Sequence, residues 1–593
     1  MEIFMIYSKQ KTRGGISNSS NQTMGEMIIS LWIIGISVIF PLIVDNAYFN
    51  ILPTKFYTYC IITGIMIVLM FCWHAFGGRI DKTLSEIKKL GFKEWFLKEY
   101  DLTDRFMLVF IVIAIIATLC AYPYIQEAFI GYRGKDSNSG TGRYTGLLLL
   151  LLYVISYFYV SRDYKFKNWH FIVFMAAADI VCLFGITDYF SLNLAHFKDN
   201  MQPHQINLYT STIGNINTYT TYVAYVVAFA GTMFIVSDVE DLIVSEFVGK
   251  KNKEEKDISL GLWIFYFVSF VIGLFALAMG KSDNGYLTLI AFFSFVPFIA
   301  FKKKYGIRRY ILTLALYFSV IKIIGILNVT FPNNAIGIDG LYNVIANFKY
   351  LNWVIVLLWA LTLSLYVIKI LGYQKVKDES VKIDEMEKCN PLVVKAWAFL
   401  VALGFVGIVG MFYYANTVDE SKLEFLGGIK EYLVFNDHWG TNRGYIWRAG
   451  LEEYIGRYPW YQKIFGTGPD TFGLHVIPHR GNEMLKITGQ SFDSAHNEYL
   501  QYLTTIGPIG LISYLGVLVT VIMKGVTYVK HCLQNKKGYV VYMQASACLI
   551  LCYAVQAIVN INLPISTPIM WMFMSISVGI WRENTEKVNE SKA

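Results

Sequence analysis

Fourteen apolar runs, each near the length a helix needs to cross a bilayer, dominate this 593-residue chain. They fall near 27–44, 56–74, 106–124, 144–161, 168–187, 215–236, 259–280, 285–301, 310–327, 351–371, 396–414, 507–526, 539–560 and 566–581. A hydrocarbon core takes about 20 apolar residues per helix. Backbone N–H and C=O groups find no partner in lipid, so segments of this kind fold as helices that bond within themselves. The expected fold is an all-α polytopic membrane protein with about 14 transmembrane helices. Composition agrees: 55% of the residues are hydrophobic and 16% charged, against about 25% charged in soluble domains. The net charge of +8 does not indicate nucleic acid, because the basic residues sit between the apolar runs.

Those basic residues set the expected orientation. With Lys9, Lys11 and Arg13 in the cytoplasm, the inner segments carry Lys88, Lys89, Lys93 and Lys98, then Lys250, Lys251 and Lys253. Further on come Lys302, Lys303, Lys304, Arg308 and Arg309, and later Lys536 and Lys537. This is the positive-inside pattern. A missed or invented span would invert every later loop, so the pattern supports the count as well as the direction. An even count returns Arg582 and Lys587 to the cytoplasm. The run Met27 to Val44 is too long for a signal-peptide core and is expected to stay as the first span.

The chain then divides into a cytoplasmic tail (1–26), a first bundle of about eleven helices (27–414), a large extracytoplasmic loop (415–506), a C-terminal group of spans (507–581) and a cytoplasmic tail (582–593). The large loop is too long to be a plain connector. Amphipathic stretches at 443–456 and 494–505 suggest a mostly helical cap. It contains no cysteine, which excludes a disulfide framework there.

Several polar residues on the expected outer side are placed to carry chemistry. Six histidines lie there: His196, His204, His438, His475, His479 and His496. His475 and His479 have a zinc-compatible spacing, but Pro478 between them argues against a regular helix and no HExxH pattern is present. His496 lies where a polar loop turns into a helix that feeds the next span. Asp493 reads as the N-cap. That puts His496 in the first turn, where the helix dipole favours neutral imidazole, opposed in part by Asp493 and Glu498. A neutral imidazole at the membrane surface suits a general base; the alternative is a structural bond to Asp493.

Arg443, in Trp439-Gly-Thr-Asn-Arg-Gly-Tyr-Ile-Trp447, stands at another expected helix start. A planar guanidinium there suits bidentate recognition of a diphosphate; the alternative is a cation–π contact with Trp447. Arg448 has Glu452 as its i+4 partner. Gly466-Thr-Gly-Pro-Asp470 has the glycines of an anion nest. A short outer loop holds Arg133, Lys135 and Arg143, a positive cluster on the side where such charge is scarce. Asp179 and Lys322 lie within spans, where an ionisable group is either functional or paired with the other.

Taken together these pieces resemble the O-antigen ligase and polymerase superfamily (the Wzy–WaaL type). In chain order the resembling motifs are Gly142-Arg-Tyr-Thr-Gly146, Gly214-Asn-Ile-Asn217, Ser282-Asp-Asn-Gly285, Asn442-Arg-Gly-Tyr-Ile-Trp447, Phe465-Gly-Thr-Gly-Pro-Asp470, His496-Asn-Glu-Tyr-Leu500 and Gly507-Pro-Ile-Gly510. The resemblance covers roughly residues 106–525. It implies a membrane glycosyltransferase of the GT-C type that moves a glycan from undecaprenyl diphosphate to an acceptor hydroxyl, with inversion, no metal and no cofactor. Carried over by motif, His496 is the general base and Arg443 a diphosphate ligand. Many members have Ser-Arg-Gly where this chain reads Ser282-Asp283-Asn284-Gly285. Arg143 or Lys281 then stands in for the second phosphate-binding cation. Asn497, Arg448, Asp493 and Asp470 are secondary candidates.

The implied partners are a lipid-linked glycan donor, a hydroxyl acceptor and the bilayer, in the cytoplasmic membrane. The competing readings are a lipid-linked oligosaccharide flippase and a SEDS-type peptidoglycan polymerase. No DxD motif lies on the outer face, which disfavours the metal-dependent GT-C transferases. Single-cysteine variants at Lys430 and Leu485 should be labelled by a membrane-impermeant thiol reagent in intact cells; protection of either would reverse the expected orientation.

Overall fold

The computed structural model describes residues 23–134, 139–239, 258–375, 387–527 and 537–590. Lys9, Lys11, Arg13, Lys135, Lys250, Lys251, Lys253, Lys536 and most of the charged stretch 375–390 lie outside the described residues.

Each apolar run is a helix: α1 (Met24–Leu42), α2 (Ile51–Phe76), α3 (Leu102–Leu119), α4 (Leu147–Asp163), α5 (Asn168–Tyr189), α6 (Ile216–Val236), α7 (Leu260–Met279), α8 (Asn284–Ala300), α9 (Lys304–Thr330), α10 (Leu351–Lys375) and α11 (Pro391–Ala415). Five helices follow in the large loop: α12 (Lys430–Leu433), α13 (Trp439–Gly456), α14 (Trp460–Phe465), α15 (Phe472–Thr488) and α16 (Glu498–Thr505). The chain then closes with α17 (Gly507–Thr527), α18 (Lys537–Gln556) and α19 (Thr567–Glu590). Among the described residues, eleven helices are long and apolar enough to cross a membrane by length and composition. Helices α4, α8 and α19 coincide with the other three apolar runs but fall outside that measure, so eleven of the expected fourteen spans meet it. The protein is thus an all-α polytopic membrane protein; the one sheet among the described residues pairs Tyr209–Thr210 with Gly214–Asn215.

Helix α6 is the hub. Its span is 94% buried, whereas α11 buries none of its own. Lipid is as apolar as leucine, so helices associate through close packing, and small residues allow that. Thr220, Thr221, Ala224, Ala228, Ala230 and Gly231 supply them along α6. A side chain at Gly231 would lie 2.6 Å from the Phe292 ring of α8 and 2.8 Å from the Phe270 ring of α7.

At one end of the bundle, buried charges join four helices. Asp104 of α3 accepts from Tyr157 of α4 at 2.8 Å and from Arg582 of α19, while Lys524 of α17 donates to Asp101 at 2.7 Å. Asp101 also caps α3, accepting from the Asp104 amide at 3.1 Å. At the opposite end the connections converge with the large loop. There the Glu498 amide donates to the Ala557 carbonyl and Tyr432 donates to Asp283. Replacing Arg582 with Ala leaves Asp104 buried without its main cation. Such a loss costs about 3–5 kcal/mol, and should appear as a lower unfolding temperature in detergent that Arg582→Lys partly restores.

Candidate functional site

The site forms where two parts of the large loop clasp the connection between α3 and α4. Arg133 organises that connection from below. Its Nε donates to the Gly140 carbonyl at 2.9 Å and its Nη1 to the Asp470 carbonyl at 2.6 Å. Asp470 then accepts the backbone N–H groups of Arg143 (2.8 Å) and Thr145 (3.1 Å) on one carboxylate oxygen. Asp493 accepts the Gly142 amide at 3.2 Å and binds the Arg143 guanidinium at 2.8–2.9 Å. The fit requires glycine at residue 140, where φ is +82° and a Cβ would come within 2.4 Å of Asp493 Cβ. Burial alone would raise the Asp493 carboxyl, but Arg143 and Arg133 outweigh it and hold it below the usual range. Burial pushes the Asp470 carboxyl up to about 6 despite Arg133.

These bonds correct the expected helix start. Asp493 is not the N-cap of α16. Asn497 is, its side chain accepting from the amides of Tyr499 and Leu500 at 3.0 Å each. His496 precedes the cap with φ +48°, outside the helix. That left-handed conformation is uncommon for a side chain larger than glycine. The residue before it is held at both backbone groups: the Ala495 carbonyl accepts from Trp447 Nε1 at 3.0 Å, and the Ala495 amide donates to Gln501 Oε1 at 2.9 Å. The imidazole meets the Phe492 ring edge-on, with centroids 5.6 Å apart.

The neutral imidazole has a different cause from the one expected. Burial comes first, then the positive charges of Arg143 and Arg443, with Asp493 opposing; together they lower its pKa to about 3. Glu498 turns away from His496 and into the bundle, where Tyr553 donates to its Oε2 at 2.6 Å.

Arg443 begins the regular part of α13, directly after three left-handed residues, Gly440 to Asn442. Its Nη1 donates to the Gly440 carbonyl at 2.5 Å and its Nε is buried without a partner. Among the described residues no carboxylate pairs with it and no aromatic ring stacks on it; Trp447 packs on Trp439 instead. Burial lowers its pKa, opposed by the charge of Asp283. Arg443 therefore lies within electrostatic reach of both His496 and the Ser282–Gly285 turn. That turn is fixed by Ser282 Oγ donating to Asn217 Oδ1 at 2.6 Å and Asn284 Nδ2 donating to the Asn217 carbonyl at 3.1 Å.

The other candidates have protein partners. Arg448 grips Asp437 with two bonds of 2.9–3.0 Å and also reaches Glu452 at 3.3 Å. Lys281 pairs with Asp339 at 3.4 Å. The glycine turn 466–470 is not an anion nest, because its amides are spent: Gly466 donates to Gln462, Thr467 to Thr504 and Gly468 to Thr505. Helix α15 runs through Pro478, contrary to expectation. His475 lies between Tyr124 and Tyr458, and His479 lies 3.2 Å from Glu453. Among the described residues, no three metal-type side chains cluster. Asp179 and Lys322 do not pair with each other; Asp179 accepts from Ser269 at 2.6 Å.

Sequence reading missed a polar seam under the site. Gln556 Nε2 donates to the Asn284 carbonyl (3.1 Å), Asn560 Nδ2 to Thr221 Oγ1 (2.7 Å) and Asn562 Nδ2 to Tyr502 Oη (2.7 Å). The available signal was the density of amide side chains in Gln556-Ala-Ile-Val-Asn-Ile-Asn562 between two apolar runs.

The fold and the convergence of the loop on this face define a multi-pass membrane protein with its polar chemistry at one end of the bundle. Residues 349–515 match the family model described as O-antigen ligase. Over that segment the chain is similar to the O-antigen ligase/polymerase superfamily, and the match supports, in general terms, membrane glycosyl transfer. No curated protein matches the chain. The matched segment holds Arg443, Asp470, Asp493 and His496; Arg143, Lys281 and Asp283 precede it.

The lowered pKa has a defined consequence. Between about pH 3 and pH 6.5 the folded site holds fewer protons than the unfolded chain, so acidification through that window destabilises it. NMR of selectively labelled His496 in solubilised, substrate-free protein should show a neutral ring down to about pH 5, well below the ordinary midpoint; a midpoint at or above 6.5 contradicts this environment.

Proposed function

We propose that the protein transfers a glycan from undecaprenyl diphosphate to an acceptor hydroxyl at the extracytoplasmic face of the cytoplasmic membrane, as a polysaccharide polymerase or O-antigen-ligase-like enzyme of the GT-C type. The observation that carries this reading is the placement of the His496 turn, held through Ala495 by Trp447 and Gln501, beside the guanidinium groups of Arg143 and Arg443. A diphosphate seated between those cations leaves readily once its charge is stabilised. The acceptor oxygen attacks the anomeric carbon as the carbon–oxygen bond to the diphosphate breaks, and a single displacement inverts that centre. His496 takes the acceptor proton. The bound diphosphate offsets the two cations that depress His496, so the imidazole becomes a stronger base in the complex than in the free protein. Arg443 is the more available cation, because Asp493 already grips Arg143.

Purified protein assayed with a lipid-linked glycan separates this reading from transport or scaffolding. His496→Ala should lower turnover by roughly 10²–10⁴-fold with donor binding intact. Arg443→Ala should abolish transfer, and Arg443→Lys should restore little, because a point charge does not reproduce a bidentate grip. Arg448→Ala should be milder in turnover than Arg443→Ala. Retention of more than about a tenth of wild-type turnover by His496→Ala would move that residue to a structural role.

The proposed chemistry needs no metal, since the two arginines supply the charge stabilisation. Transfer should survive EDTA; loss on chelation, reversed by Mg²⁺ or Mn²⁺, would overturn the metal-free mechanism.

A further inference from the structure

A small void lies behind the catalytic face, lined by Arg143, Asp470, Ser494, Glu498, Tyr502 and Asn562 among others. It has room for about one water-sized occupant. Four of its lining side chains carry a buried polar atom with no partner: Asp470 Oδ1, Ser494 Oγ, Glu498 Oε1 and Asn562 Oδ1. Each of these residues is more than nine-tenths buried. Buried polar atoms are almost always satisfied, so their convergence on one space asks what satisfies them.

The inventory of donors narrows the answer. An ionised carboxylate and an amide oxygen only accept; a hydroxyl donates one proton. With both acids ionised, Asp470, Glu498 and Asn562 present three acceptors; one water and the Ser494 hydroxyl hold three protons to serve them, but two negative charges would then face each other across one small space. A protonated Glu498 removes one charge and adds a donor aimed into the void. Among the described residues no cation pairs with Glu498 from the bundle side, whereas Asp470 has Arg133 beside it. Oε2 accepts from Tyr553, and the phenols of Tyr514, Tyr502 and Tyr225, from α17, α16 and α6, stand around the carboxyl. The charged groups facing the same space are Arg143, whose guanidinium Asp493 holds, and Asp470.

We propose that Glu498 is a positioning residue that works as a protonated acid, its Oε1–H donating to a buried water shared with Asp470, Asn562 and Ser494. Its backbone amide is bonded to Ala557 at 2.9 Å, and it lies two residues from His496. The neutral acid therefore locks the start of α16, and with it the His496 turn, onto α18 and the segment that follows. Burial raises the Glu498 carboxyl to about 7. A raised carboxyl favours the folded site at low pH, and that contribution is lost as pH rises through the folded value. The active arrangement should accordingly loosen on the alkaline side. The role of the lock in transfer rests on the reading of His496 above; the protonation itself does not.

Two measurements test this. In infrared difference spectra of the purified protein, wild type minus Glu498→Gln, a protonated-carboxyl C=O band should be present near pH 6 and fade toward pH 9, the Asp470 carboxyl cancelling between the two. Absence of that difference band overturns the proposal whatever the protein's reaction is. In the transfer assay, Glu498→Gln should stay within a few-fold of wild type and lose the alkaline fall in rate, because an amide donates without titrating. Glu498→Ala should lose roughly 10²-fold through misplacement of His496. Equal damage from Gln and Ala, or an alkaline limb unchanged in Glu498→Gln, would also overturn it. A preparation with the expected band but no transfer would count against the glycosyltransferase reading and not against the protonated acid.

Discussion

Two buried carboxylates from the large loop, Asp470 and Asp493, hold residues 140–146 before α4 in place, and the site depends on that clasp. Asp470 binds two backbone amides and Asp493 binds one amide and the Arg143 guanidinium. A charged acceptor makes stronger hydrogen bonds than a neutral one, and here the charges are also compensated by Arg133 and Arg143. The clasp fixes one cation beside His496. It also orients the turn that carries His496, because Asp493 lies three residues before it.

The rest of the loop is built to keep that turn rigid. A small separate core of Tyr445, Ile446, Phe472, Val476, Met484 and Ala495 joins α13, α15 and the residues leading to α16. Arg443 and His496 thus come from segments more than 50 residues apart yet share one packed unit. Arg448, Arg480, Glu452, Glu453 and Glu483 form the outer ionic shell of the same unit. Those ion pairs leave Arg443 as the guanidinium of α13 without a carboxylate partner. Below the loop, the amides of 556–562 connect it to the helix ends, so the site rests on the bundle and is not suspended above it.

The helices were legible because lipid imposes a single solution on an apolar run about 20 residues long; all fourteen runs are helices. Arg443 at a helix start was legible for the same local reason, with glycine and asparagine just before it. The local reading failed wherever a distant partner competed for a group. Asp493 has the composition of an N-cap, but Arg143, some 350 residues earlier in the chain, claims its carboxylate, and Asn497 caps instead. Pro478 sits inside α15, where packing of Val476 and Met484 on α13 keeps the helix. The glycines of 466–468 approach backbone, as glycines do, but the backbone is that of Thr504 and Thr505.

By itself the sequence determined the fold class and the order of the apolar helices, because these follow from hydrophobic length. Only the tertiary structure decided the electrostatics. His496 is neutral through burial and two remote arginines, and not through a helix dipole. Glu498 faces the bundle and not the histidine. Which cation is free and which is paired depends on contacts between segments hundreds of residues apart, and a charge's environment is a property of space that no local pattern encodes.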